Sequence, residues 1–240
     1  MSIFAPPIME VKEHIIQQSL SLFLKKGVKQ VNMDEVATNL GISKKTLYVH
    51  FENKQDLVHH CFQKHNDLVS EMINTSAAQF ENAIDELFAI DESCSLVMKQ
   101  TNPYLLGDLK RYYPNTWSLI EQLKQKVLFN IMKNNLVKGI EQGIYRKEIN
   151  VDIIAKLMIS RIDALVNDEL FPLTHYDFRK LLTENRIYHI RGIATLKGIN
   201  YLEQKINEDK FITNRYCFSV YFFCSTTLIS YRSARVSLTK

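Results

Sequence analysis

The chain has 240 residues, of which 46% are hydrophobic and 23% charged, so it can bury a core as one large domain or two small ones and is not a disordered chain. Seven glycines and five prolines are too few for the tight turns of a large all-β protein, and no apolar run approaches the ~18 residues of a membrane span. The formal net charge of +4 comes entirely from residues 211–240, so it says nothing about the partners of the rest of the chain.

The first fifty residues predict three helices. Apolar side chains recur every three or four positions from Val11, and Gly27 ends that amphipathic helix. Asn32 and Ser43 are typical N-cap residues, and each begins a short helix, while Gly41 between them is a typical stop. Two short helices joined in this way form a helix-turn-helix pattern.

The pattern after Asn53 stays helical to about residue 208. Asn53 caps a long helix, the pair Asp91–Glu92 indicates a loop, and Pro114 ends a later segment. Three further long helices are predicted over about residues 117–139, 151–166 and 177–198, the last of which can continue toward residue 208.

We therefore expect an all-α fold in three parts. The parts are a three-helix helix-turn-helix domain over residues 1–54, a helical domain over residues 55–208 and an atypical tail over residues 209–240. From Phe211 the tail holds seven aromatic residues and no acidic residue, glycine or proline. Its simplest interpretation is an extension without function, but its composition also fits an interaction surface or a non-specific contact with membrane or nucleic acid.

The clearest chemical signal lies in the second short helix of the helix-turn-helix. The helical period places three of its side chains within one arc: Lys44, Lys45 and Tyr48. Thr46 lies nearby, whereas Leu47 and Phe51 fall together and can face the core. No acidic residue occurs between Val36 and Phe51, and a short cationic helix with hydrogen-bonding groups fits the major groove of DNA.

Two neighbouring residues extend this interpretation. Lys54 follows the Asn53 cap at a helix N-terminus, where free N–H groups and the helix dipole favour a phosphate. His50, at a helix end, either caps and packs locally or contacts DNA. Adjacent lysines alone usually mark only a solvated surface. That alternative loses weight here because caps, glycine turn, lysines and tyrosine occur in one compact unit.

Residues Val11–Leu57 resemble the DNA-binding domain of the tetracycline-repressor (TetR) family of bacterial regulators. The shared features include the helix over residues 33–37, the Gly41–Ser43 turn, the Thr46–Tyr48 segment and the pairs His50–Phe51 and Asn53–Lys54. A looser resemblance extends over about residues 10–208, and the tail departs from it. The resemblance implies DNA contacts from Lys44, Lys45, Thr46, Tyr48, His50 and Lys54.

The resemblance also implies partners and a second domain function. It implies a homodimer that binds a palindromic operator in double-stranded DNA and is usually released by a small-molecule effector that the sequence does not identify. The helical domain would then bind the ligand and dimerise, with residues 151–166 and 177–198 as the candidate four-helix interface. The resemblance implies a repressor that acts in the cytoplasm, which agrees with four cysteines that lack CxxC spacing.

The family places its ligand pocket inside the helical domain. Candidate lining residues are Tyr104, Tyr112, Tyr113, Trp117, Phe129, Met132 and Met158. Each of them also fits an ordinary core position. Arg161 and Asp163 lie in an otherwise apolar helix, either as polar groups of the pocket or as an ion pair of the dimer interface.

The sequence gives little support for metal binding or catalysis. Cys61 and His65 are spaced to share one helix face, but two ligands make a weak metal site, and we expect an exposed helix surface there and no metal. Motifs of nucleotide-binding loops, serine hydrolases and metalloproteases are absent, so neither an enzyme nor a cofactor is expected. Two alternatives stay open: the helical domain binds a protein partner and no small ligand, or the DNA-binding unit is vestigial in a helical interaction protein.

Overall fold

The computed structural model describes residues 8–167, 169–172 and 174–209, and this part of the chain is built from helices, with a single isolated β-bridge. None of its helices combines the length and the apolar character needed to cross a bilayer. The tail predicted over residues 209–240 lies outside the described residues, apart from Asp209 at the end of α11. The helices are α1 (Ile8–Lys26), α2 (Met33–Leu40), α3 (Lys44–His50), α4 (Lys54–Ala78), α5 (Ala83–Lys99), α6 (Leu105–Tyr112), α7 (Pro114–Gln122), α8 (Phe129–Glu141), α9 (Val151–Leu165), α10 (Phe178–Ile193) and α11 (Leu196–Asp209).

The caps predicted for the helix-turn-helix are confirmed. The side-chain oxygens of Asn32, Ser43 and Asn53 each accept the backbone N–H of the residue three positions later, at 2.9 to 3.0 Å. Gly41 closes α2 with φ +67°, a left-handed conformation that only glycine adopts readily. Local sequence therefore determines where these three helices begin.

The core of the N-terminal unit extends beyond residue 54. Its buried apolar side chains come from α1 to α3 and the start of α4, and it also contains Leu105, Leu109 and Tyr113 from α6 and the residue that follows it. Asn102 ties the same region to α1, because its backbone N–H donates to the carbonyl of Leu24 at 2.7 Å. The helices α1 to α3 thus share one core with α6.

A second core lies among α5, α8, α9 and α10. Met132 and Met158 are buried in it, and α11 adds Leu202. The chain therefore buries two apolar clusters, and α4 contributes to both, with Leu57 in the first and Ile73 in the second.

The loop predicted at Asp91–Glu92 is wrong. Both residues lie inside α5, and the Asp91 carboxylate is buried and accepts two hydrogen bonds from Arg186 of α10, at 2.5 and 2.8 Å. Adjacent acidic residues usually indicate solvent exposure. Here a partner 95 residues away along the chain compensates the buried charge, which no local pattern shows.

The single helix predicted from Asp177 to Gly198 is also wrong. Asp177 caps α10 as expected, but α10 ends at Ile193 and α11 begins at Leu196. Between them Ala194 is extended and pairs with Tyr145 in an antiparallel bridge. The helix breaks because its backbone forms hydrogen bonds with residues 144–146 instead of with its own next turn.

The long helix predicted over about residues 117–139 is present but not uniform. It runs from Pro114 to Glu141, with a π-helical segment at Leu123–Leu128 between α7 and α8. Within this segment the Lys124 side chain is buried and forms ion pairs with Glu121 and Asp163. Such segments add a residue to a helical turn and redirect the side chains that follow.

Candidate nucleic-acid interface and interior polar cluster

The helix α3 is buried on one side and exposed on the other. Leu47 and Phe51 are buried in the first core, as the sequence predicts. On the opposite side Lys45 is exposed, Tyr48 keeps 45% of its surface accessible and Val49 keeps 73%. A short helix anchored in this way presents its outer side chains to a partner at a defined position.

Two of the predicted contact residues already have partners within the chain. Lys44 donates to Asp34 of α2 at 2.9 Å, and this hydrogen bond raises the pKa of its exposed amine. The Thr46 hydroxyl lies 2.8 Å from that of Ser43. Lys45, by contrast, forms no hydrogen bond or ion pair with any described residue. The three side chains therefore differ in how readily they can contact another molecule.

Lys54 and His50 lie at the edge of this surface. The Lys54 amine lies 5.9 Å from the centre of the Tyr113 ring. Partial burial lowers the pKa of this amine, and the negative charge of Asp108 offsets part of that shift. His50 is partly exposed, with its ring 6.5 Å from that of Phe51. His50 therefore packs beside Phe51, and its contact with DNA stays a prediction.

The exposed surface expected at Cys61 is wrong. Cys61 is fully buried, its thiol donates to the carbonyl of Ile16 at 3.3 Å, and burial raises the pKa of that thiol. His65 packs edge-on against Phe62. Among the described residues, no group of three or more His, Cys, Asp or Glu side chains is placed to hold a metal ion.

Comparison with known proteins identifies the family of this chain. The family profile described as bacterial regulatory proteins, TetR family, matches residues 15–61, which run from the middle of α1 to the first turns of α4. The biofilm operon negative transcriptional regulator IcaR of Staphylococcus aureus strain Newman is 30% identical over 131 residues, which make up 51% of this chain and 68% of that regulator. The chain belongs to the TetR family.

Further relatives of this TetR-family protein are also regulators. The fatty acid metabolism regulator protein of Bacillus subtilis is 23% identical over 172 residues, 68% of this chain and 85% of that protein. The crystal structure of the B. subtilis regulator FadR in complex with stearoyl-CoA matches with a TM-score of 0.59 at 18% identity, over 75% of this chain and 98% of that one. The all-α fold with an N-terminal helix-turn-helix is therefore confirmed.

The predicted ligand-lining residues of this TetR-family protein are not gathered in one place. Tyr104 and Tyr112 are exposed, whereas Tyr113 and Trp117 pack in the first core. Three others belong to the second core: Phe129, Met132 and Met158. Arg161 is partly buried on α9, and Asp163 pairs with Lys124 of the same chain. A role in ligand binding stays a prediction for the whole set.

An interior polar cluster near Arg161 was not anticipated from the sequence. Arg186 and His189 of α10 are buried, Arg186 forms the bidentate ion pair with Asp91, and a guanidinium nitrogen of Arg161 contacts Nδ1 of His189. Cys94 of α5 adjoins the ion pair, and burial raises the pKa of its thiol to about 12. The sequence did offer a signal, the spacing of Arg186 and His189. They are three positions apart, which places them on one face of a helix, and an apolar residue follows each of them.

Proposed function

We propose that this chain is a homodimeric repressor that binds a palindromic operator in double-stranded DNA and is released by a small-molecule effector. In this proposal residues 1–54 bind DNA, residues 55–208 bind the effector and dimerise, and the protein acts in the cytoplasm without catalysing a reaction. The observation that carries the proposal is α3, where Lys45, Tyr48 and Val49 are exposed on a helix that Leu47 anchors. A repressing role is supported by IcaR, a negative regulator.

The six predicted DNA contacts divide by their surroundings. Lys45 and Tyr48 can contact base edges or phosphates without breaking any interaction of the described residues. Lys44 and Thr46 would exchange their present partners, Asp34 and Ser43, for DNA. Lys54 and His50 lie at the flank, where phosphate contacts would position the helix.

The dimer is supported by an apolar stripe on α9. Ile153 and Leu157, one turn apart, keep 54% and 52% of their surface accessible, and Ser160 and Ala164 continue the same face. On α10, Tyr188 is 75% exposed. Pairing of these faces with a second copy would bury them in a four-helix interface, and the resulting twofold symmetry requires a palindromic operator.

Ligand release is supported by the interior of the second core. The structure of FadR from B. subtilis contains stearoyl-CoA, so a regulator of this fold can hold a small molecule. In this chain, buried Arg161 and His189 atoms without partners lie inside the protomer, where a protein partner docking on its surface cannot reach them. This observation favours a small ligand over a protein partner. The ligand would favour a dimer whose two α3 helices are wrongly spaced for successive major grooves.

Selection of bound duplexes from a random DNA pool tests the proposal. We expect the full-length protein to enrich a palindrome whose half-sites lie roughly one helical turn apart, or a multiple of it. Enrichment of a non-repeated sequence would contradict the dimeric mode of binding. Failure to retain any duplex at low salt, where phosphate contacts are strongest, would contradict DNA binding altogether.

A further inference from the structure

The contact between Arg161 and His189 determines which nitrogen of the imidazole carries the proton. A guanidinium nitrogen of Arg161 lies against Nδ1 of His189, and arginine can only donate. Nδ1 must therefore accept, which makes His189 the neutral tautomer with its hydrogen on Nε2. Burial, with the charges of Arg186 and Arg161, lowers the pKa of His189 to about 3 and agrees with a neutral ring.

Two buried donors in this cluster consequently lack acceptors. Nε of Arg161 and Nε2 of His189 are both inaccessible to solvent and form no hydrogen bond. They belong to the two side chains that contact each other through a guanidinium nitrogen of Arg161 and Nδ1 of His189, across α9 and α10. Nearly all buried N–H groups in folded proteins have a partner, and a missing partner costs free energy. The site therefore lacks an acceptor.

The charge of the cluster indicates what kind of acceptor is missing. The Asp91 carboxylate is matched by the bidentate guanidinium of Arg186. Arg161 forms no ion pair with a carboxylate of any described residue, and Asp163 on the same helix pairs with Lys124. With His189 neutral, the group of Arg161, Arg186 and Asp91 carries one excess positive charge, which a monoanion would balance.

The surroundings indicate the rest of the ligand. Met158 lies one turn before Arg161 on α9 and is buried. On α10, Leu182, Ile190 and Ile193 are also buried. A ligand whose charged end reaches the two donors would place the remainder of its structure among these apolar side chains.

We propose that Arg161 and His189 bind the carboxylate of a small organic acid with an apolar body, each donating one N–H to it. The inference rests on the proposed ligand-responsive function and names the chemical class of the effector. Arg186 and Asp91 act as positioning residues, because their ion pair fixes α10 against α5. Arg161 and His189 lie on α9 and α10, the helices of the proposed dimer face, so a carboxylate bound there would alter the packing of that face.

The experiment uses the full chain and two pairs of probes, hexanoate with hexanamide and decanoate with decanamide. Each amide retains the apolar body but lacks the charge. Binding is measured by calorimetry and thermal shift, and release is measured on a duplex obtained by selection. The variants are Arg161→Met, His189→Phe and His189→Gln, in which glutamine keeps an N–H donor. The control is Arg191→Met, which removes an exposed arginine of α10 that pairs with Glu203.

We expect at least one acid to bind and its amide to bind at least about tenfold more weakly, as loss of a charge-assisted hydrogen bond predicts. Arg161→Met and His189→Phe should lose a similar factor, whereas His189→Gln and Arg191→Met should retain binding. Without ligand, Arg161→Met loses the donor to Nδ1 of His189 as well as the unpaired Nε, so the free energy of unfolding of this variant is measured beside its ligand affinity. A purely structural arginine would lower the stability of the variant but leave the ratio of acid affinity to amide affinity unchanged.

The inference is overturned if no acid binds, if acid and amide bind equally, or if Arg161→Met keeps full affinity for the acid. In each of these cases operator binding by the parent protein is unaffected and the proposed regulator stands. Failure of the parent to bind any selected duplex, in contrast, overturns the proposed function itself.

Discussion

At the scale of single residues, the side chains that α3 offers to DNA differ in whether they already have a partner within the chain. Six residues resemble DNA contacts of the family, yet their surroundings differ. Lys45 and Tyr48 face outward, Lys44 is already paired with Asp34, and Lys54 lies over the Tyr113 ring. The exposed pair should therefore contribute more to operator affinity than residues that must first exchange a partner within the chain.

Replacement of Tyr48 with alanine tests this ranking. We expect operator affinity to fall by about 1–3 kcal/mol, the value of a specific contact, while the free energy of unfolding changes by less than about 0.5 kcal/mol because the side chain is exposed. Fluorescence anisotropy and denaturant titration measure the two quantities. Tyr176→Ala is the matched control, because Tyr176 has nearly the same exposure, 46%, in the segment before α10. Monomers or unfolding of the Tyr48→Ala protein would show that the residue is structural.

The interior histidine predicts a dependence of stability on pH. The pKa of His189 is about 3 in the folded chain, against an ordinary value of 6.5, so between these values the unfolded chain binds a proton that the folded chain does not. Stability should therefore fall as the pH decreases below 6.5, by up to about 1.4 kcal/mol per pH unit from this residue. Urea titrations at pH 7 and pH 5 measure the difference.

In the same titrations, the free energy of unfolding of His189→Gln should fall less between pH 7 and pH 5 than that of the parent protein. Part of the loss should remain, because burial also lowers the pKa of His65, to about 4. An unchanged loss in the variant would mean that His189 takes up a proton equally in the folded and the unfolded chain.

At the scale of helices, capping residues determine where several helices begin, whereas contacts between distant residues determine where α10 ends. Capping residues determine the starts of α2, α3, α4 and α9 through hydrogen bonds to backbone groups three positions on. The end of α10 has a different origin, since its backbone pairs with residues 144–146. That junction requires close packing, because the ring of Tyr145 lies directly over Gly139 of α8.

Two glycines of helices provide a matched test of this packing. A Cβ at Gly139 would lie 2.0 Å from the Tyr145 ring, whereas a Cβ at Gly107 of α6 would meet nothing within 4 Å. Gly139→Ala should therefore destabilise the protein by about 1–3 kcal/mol or more. Gly107→Ala should stabilise it by about 0.4–1 kcal/mol through improved helix propensity. Denaturant titration measures both, and equal effects would contradict the close contact at Gly139.

At the scale of the whole molecule, the two apolar cores are joined by shared helices. The long helix α4 contributes to both, and α6 packs into the N-terminal core. In the proposed mechanism, α4 would carry a displacement of the C-terminal helices to the position of α3. The proposed mechanism also requires a second copy, which would pack on the exposed stripe of α9 and set the distance between the two α3 helices.

The dimer proposal predicts a specific effect at Leu157. Leu157→Glu should yield monomers in analytical ultracentrifugation and lose most operator affinity, because a charge would be buried in the interface. Val137→Glu is the control, since Val137 of α8 is also exposed but lies outside the α9 and α10 face. A dimeric Leu157→Glu protein with full affinity would place the interface elsewhere.

Much of the N-terminal unit could be predicted from the sequence alone. Caps, the left-handed Gly41 and the period of apolar residues act within a few positions, so α1 to α3 and the burial of Leu47 and Phe51 follow from local physics. The same reasoning failed for Cys61, where an apparently polar stretch of histidines surrounds a buried thiol. A one-sided helical pattern does not show how wide the buried face is.

The sequence by itself determined the helical class, the starts of the capped helices and the chemistry of α3, because these depend on interactions between near neighbours in the chain. Only the tertiary structure decided the helical state of Asp91, the break after Ile193 and the meeting of Arg161 with His189. Each of these depends on partners dozens of residues away, whose attraction outweighs local preference only once the helices have packed together.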